Sequence, residues 1–177
     1  MKLKIRDMEI EVRSLLAKDI VSRGGIEYFS RDERVLMECV TSVNGEERKL
    51  SVFDIKDWRE SDVRKTVRAV MSLSGLDLES GEDLYEVAET GDDYIVVRVS
   101  GKLYKLEELT MAQIASIRRS KNDMETAARK LALAVKEIDG KKVSLDYESV
   151  LEMKAGEFLG LLGAYGELVE GGYDRGF

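Results

Sequence analysis

The sequence predicts an α+β fold, mostly α, built from two similar halves. Each half is read as a β-hairpin followed by about three helices, and the halves pack about a pseudo-twofold. Three observations predict it. Apolar and polar residues alternate at 2–13 and again at 94–106, the period of a half-buried strand. Apolar residues recur at helical spacing through most of the remainder. The chain also matches itself without a gap when slid by 95 residues, placing Gly45 on Gly140, Leu50 on Leu145, Ile55 on Val150, Trp58 on Met153 and Val67 on Leu162. The agreement extends back to Val40 on Val135 and Leu36 on Leu131, which is the signature of a tandem duplication.

The elements follow in chain order. KLKIRDMEIEVR turns around Asp7 as a hairpin does, and a short helix is expected near 15–22. Ser30 and Glu33 have the spacing of a capping box, so a longer helix starts there. Asn44-Gly45 is read as its end, because glycine closes a last turn in a left-handed conformation. A short helical piece at 51–57 leads to a final helix at about 60–74, with Val63, Val67, Val70 and Leu73 as its buried stripe. Residues 77–93 carry eight acids and no base, and read either as a solvated linker or as an extra strand, 84–89 pairing with 94–99. YIVVRVSGKLYKL is the second hairpin, with Ser100-Gly101 supplying its tight turn. Helices are expected at 110–119, capped by Thr110 and Gln113, and from Asn122 with Glu125 to Asp139-Gly140. A piece at 146–152 precedes the last helix at 155–168, striped by Phe158, Leu162, Tyr165 and Leu168. The division is therefore 1–76, first repeat; 77–93, linker or strand; 94–168, second repeat; and 169–177, a flexible tail.

Composition narrows the chemistry. The 177 residues hold 35 acids and 28 bases, a net charge of −7, which repels a phosphate backbone unless bases segregate. Arg118, Arg119 and Lys121, or Arg64, Lys65 and Arg68, are the candidates for such a face, and they read more simply as solvated helix surfaces. No nucleic-acid partner is expected. There is no histidine, so Ser-His-Asp and Cys-His catalysis and the usual zinc ligand sets are excluded. The single cysteine, Cys39, reads as a small buried hydrophobe, and one cysteine makes no internal disulfide. No apolar stretch is long enough to span a bilayer and no signal-peptide pattern opens the chain, so an intracellular, soluble protein without a membrane partner is expected. The acidic stretch lacks the ligand spacing of an EF-hand. Tyr94, Tyr104, Tyr147 and Tyr165 have no evident base beside them in sequence. No catalytic, cofactor-binding or metal-binding residue is expected. Proline is absent altogether, for which we have no functional account.

The two copies disagree most in the last helix, where Lys65, Arg68 and Met71 correspond to Gly160, Gly163 and Gly166. Each glycine in a helix interior costs about 1 kcal/mol relative to alanine. Either the helix frays into the glycine-rich end VEGGYDRGF, or the bare backbone admits a close neighbour, from the other half or from another protein. On the second reading Gly160, Gly163, Gly166 and Tyr165 are the partner-binding residues.

YKLEELTMAQIASI, followed by ETAARKLALAVKEIDGKKVSLDYESVLEMKAGEFLGLLGAY, resembles the tail assembly chaperones of long-tailed bacteriophages and related contractile-tail systems. The resemblance covers most of the second half and, more faintly, the first. It implies binding rather than chemistry: a chaperone in the host cytoplasm that coats helical segments of a tape-measure protein during tail assembly, oligomerising or not. Carrying two copies departs from that pattern. The alternative it implies is a permanent adaptor subunit of the tail or baseplate, retained in the virion beside tube or baseplate subunits.

Overall fold

In the computed structural model, which describes residues 1–76, 83–117 and 120–171, two antiparallel sheets are joined through helices into one hydrophobic core. The first sheet has the order β1 (Lys2–Ile5), β2 (Met8–Val12), β3 (Val40–Val43) and β4 (Glu46–Glu47). The second has the order β5 (Glu86–Thr90), β6 (Tyr94–Val99), β7 (Lys102–Glu107), β8 (Val135–Ile138) and β9 (Lys141–Lys142). Helices α1 (Ala17–Arg23), α2 (Asp32–Cys39), α3 (Val52–Ile55) and α4 (Glu60–Leu73) belong to the first part of the chain. Helices α5 (Met111–Ser116), α6 (Asp123–Ala134), α7 (Tyr147–Leu151) and α8 (Ala155–Gly171) belong to the second.

The expected fold class is overturned. In place of mostly helical halves with one hairpin each, the sheets have four and five strands, and the parts are not clearly alike. Among the described residues only the first part has a 3-10 turn, at Ile26–Ser30, and only the second has an outer strand such as β5. The physical cause lies at two boundaries. Helix α2 passes directly into β3 at Cys39/Val40, and α6 into β8 at Ala134/Val135; Val40 and Val135 are already extended, at φ −76°, ψ 121° and φ −70°, ψ 117°. No glycine or proline marks either change, and the apolar spacing of the helix runs on into the strand, so periodicity hides the switch. What favours the strand is β-branching, Val-Thr-Ser-Val in β3, packed on a pleated surface.

Asn44-Gly45 and Asp139-Gly140 therefore turn hairpins rather than end helices. Both residues of each pair have positive φ (52° and 81°; 51° and 74°), the requirement of a tight two-residue turn. Asn44 Oδ1 accepts from Glu9 N at 2.9 Å and Asp139 Oδ1 from Leu103 N at 2.9 Å, tying each tip to the neighbouring strand. Ser100-Gly101 turns β6 into β7 in the same conformation.

Two caps form as the sequence predicts. Thr110 Oγ1 accepts from Gln113 N, and Asn122 Oδ1 from Glu125 N at 2.8 Å. Ser30 makes no such cap: it ends the 3-10 turn, and Arg31 precedes α2 without a side-chain bond. In α4 only Val70 of the expected stripe is fully buried; Thr66 and Asp62 share its face, Asp62 receiving the Arg6 guanidinium at 3.3 Å. Helix α8 is turned so that Ala155, Phe158, Leu161, Ala164 and Leu168 face the core, leaving Leu162 and Tyr165 half-buried.

The parts interlock where three backbone segments meet. Ala17 N donates to Met153 O at 2.8 Å, Ala155 N to Leu15 O at 3.0 Å, and Gly156 N to Ser74 O at 2.8 Å. Ser74, fully buried, accepts from Leu15 N through Oγ and donates to Val70 O. Asn122 Nδ2 adds a bond to Val21 O at 3.0 Å. No helix among the described residues is long and apolar enough to cross a membrane.

Candidate functional site

Helix α8 carries all four sequence-predicted residues, and its glycines meet different neighbours along its length. A Cβ on Gly156 would lie 2.1 Å from Gly75 O, and one on Gly160 would lie 2.7 Å from Leu84 O and 2.9 Å from Val99 Cγ1. Neither leaves room for a methyl group. At Gly163 the nearest atom is Cε1 of the Tyr85 ring, at 2.9 Å. At Gly166 nothing lies within 4 Å. Gly160 and Gly163 are thus occupied by the chain's own segment 84–85, while Gly166 opens outward. The helix runs on to Gly171; the remainder of the expected tail, including Gly172 and Gly176, lies outside the described residues, as do Arg118, Arg119 and 77–82.

Two hollows flank α8. A groove of about 220 Å³ lies between α5 and the C-terminal turns of α8, floored by Leu109, Ile114, Tyr165, Gly166 and Val169 and edged by Glu108, Lys130 and Glu170. Tyr165 is half-buried; its hydroxyl accepts a long bond, 3.4 Å, from Leu109 N, and burial raises its pKa. Helix α5 beside it has no fully buried residue, and Met111 is 77% exposed. On the other flank a cleft of about 960 Å³ separates α8 from the lead-in to β5. Leu84, Val87 and Leu159 supply its apolar surface, Asp83 and Glu167 supply carboxylates, and Glu86 also lines it; among the described residues no base does. Tyr85 donates to Glu167 at 2.8 Å, and burial together with that carboxylate pushes the phenol up to about 12.

Sequence reasoning missed the lining contributed by Leu109, Ile114 and Val169, and the whole of the second cleft. The hints for the cleft were two separate features of the sequence, the uninterrupted acidity of 77–93 and the glycine spacing of the last helix. Carboxylates do stand beside two tyrosines, correcting the sequence reading. Tyr94 donates to Glu89, and Tyr104 donates to Glu157, which also takes Lys102 Nζ at 2.9 Å. Tyr104 is 1% exposed, its pKa raised by burial and by Glu157, and it lines neither hollow. That cluster pins β7 to α8. Burial likewise pushes the Cys39 thiol up to about 12, so it is not a nucleophile at neutral pH. Arg64, one of the bases considered for a nucleic-acid face, pairs with Glu60 at 2.6 Å. Among the described residues no group of three acids or thiols is placed to hold a metal ion.

No protein-family model, curated protein or solved structure matches the chain.

Proposed function

We propose that this is a non-enzymatic assembly protein of a phage tail or related contractile system, a chaperone that binds helical segments of a tape-measure protein in the host cytoplasm. The observation that supports the reading is the open flank at Gly166. A missing side chain beside Leu109, Ile114 and Val169 forms a shallow apolar groove into which one face of an amphipathic helix fits, by the helix-in-groove mode. The acidic balance of the chain keeps such a surface soluble while unoccupied.

The test is co-expression with the tape-measure protein encoded nearest to this chain's gene. Soluble recovery of that protein is the expected result. Filling the groove with Gly166→Leu should then weaken binding about tenfold, about 1.4 kcal/mol. Unchanged binding by the variant, or a gene neighbourhood without tube and tape-measure genes, rejects the reading.

A permanent adaptor subunit is the second reading, favoured by Val52 and Phe53, which are 56% and 79% exposed on α3. An adaptor needs several separate contact points. Mass spectrometry of purified virions separates the two: a chaperone is absent from them, and an adaptor is present in stoichiometric amount.

A further inference from the structure

The second cleft has a feature that the groove at Gly166 lacks: it runs into an unpaired strand edge. β5 ends the five-stranded sheet, so one side of its backbone has no strand partner among the described residues, and all five of its side chains are exposed. Glu86 and Val87 belong both to this edge and to the cleft. An exposed edge of this kind is a template for another chain.

Its side chains are sorted by face. Val87 pairs with Val97, which is fully buried, so Val87 lies on the α8 side of the sheet. Glu86 pairs with Arg98, and Glu89, after a bulge, with Val96, placing both carboxylates on the opposite face. A strand added at the edge would therefore meet an apolar surface, Val87 with Leu159 of α8, through one set of alternate residues. Through the other set it would meet Glu86 and Glu89. Asp83 and Glu167 extend the negative charge to the end of the cleft. The Glu86 charge is only loosely engaged, 3.9 Å from Arg98.

This pattern discriminates among occupants. Pairing of β5 with β5 of a second copy would bring Glu against Glu, and like charges directly opposite are destabilising. A basic strand meets the reverse situation. We propose that the outer edge of β5 and the adjoining cleft bind an extended peptide segment alternating apolar with lysine or arginine side chains, added as a further strand of the sheet. Backbone bonds to β5 provide affinity, and the alternation provides selectivity. The proposal stands on β5 and does not depend on the tail-assembly reading.

The test is fluorescence anisotropy of a labelled peptide alternating valine or threonine with lysine, titrated with the full chain at low ionic strength. Saturable binding is expected, with slowed amide exchange at 86–90 in the complex. Three comparisons accompany it: the same peptide with glutamate for lysine, a peptide of identical composition with its lysines clustered, and the double variant Glu86→Lys/Glu89→Lys. Each should weaken binding about tenfold or more. Because Glu89 accepts from Tyr94 and Glu86 stands opposite Arg98, the lysine variant should unfold at a somewhat lower denaturant concentration than the parent. Glu86→Gln/Glu89→Gln, which sets no like charge opposite Arg98, is therefore measured beside it and should bind more weakly than the parent by a smaller factor. Absence of saturable binding, equal binding of the clustered or acidic peptide, or unchanged exchange at 86–90 overturns the proposal.

Discussion

The two ends of α8 use the same residue for opposite purposes. At the N-terminal end, Gly156 and Gly160 are glycines because another backbone occupies the space: Gly75 O and Leu84 O lie where a Cβ would be. At the C-terminal end, Gly166 has open space above it. The difference teaches that a glycine stripe does not by itself indicate a docking face. The first part of the stripe holds the molecule together, and the last part leaves a hollow.

Substitutions to alanine break this comparison most directly. Gly156→Ala should cost the most, about 3 kcal/mol, because the new methyl meets backbone that also accepts the Gly156 N–H through Ser74 O. Urea unfolding measures it as a lower midpoint, and a loss under about 1 kcal/mol would mean that the 74–75 segment yields easily. Gly160→Ala should cost somewhat less, about 2 kcal/mol. It meets one backbone oxygen, at 2.7 Å, and a Val99 methyl that can rotate away.

Much of this was legible in the sequence, for identifiable reasons. Polar side chains with local partners, Thr110, Asn122 and the Ser100-Gly101 turn, form the contacts their spacing predicts, because caps and tight turns are short-range. What failed was long-range. Val40 and Val135 become strands because β2 and β7 lie alongside to receive them, Val12 pairing with Val40 and Leu106 with Val135. A helical period in the preceding residues gives no warning of that. The α8 glycines were legible as anomalous but not as to which were filled, since Gly75, Leu84 and Tyr85 are distant in the chain. The rotation of the α8 stripe, Leu161 and Ala164 inward in place of Leu162 and Tyr165, follows from the same close approach at 156 and 160.

The open end should respond in the opposite direction. Gly166→Ala adds a methyl to free space and replaces the residue most costly to order in a helix, so it should stabilise by up to about 1 kcal/mol. A raised urea midpoint beside the lowered ones at 156 and 160 would sharpen the contrast. A lowered one would mean that the C-terminal turn of α8 is held by contacts that alanine disturbs.

Tyr85 marks the boundary between the two regimes, its ring over Gly163 and its hydroxyl on Glu167, and it carries the smallest effect. Tyr85→Phe keeps the ring and deletes a largely exposed hydrogen bond, so at neutral pH the cost should be about 0.5 kcal/mol. Its signature is in alkali. The folded phenol ionises near 12 against 10 in the unfolded chain, so between those values the folded state holds the proton more tightly. Stability contributed by the neutral phenol is complete below pH 10 and declines as pH rises toward 12. Tyr104, also raised by burial and by Glu157, declines in the same direction and continues to do so in the variant. Tyr85→Phe should therefore flatten, without abolishing, the fall in the urea midpoint above pH 10. An identical fall in parent and variant would mean that in solution the Tyr85 hydroxyl is neither buried nor held by Glu167.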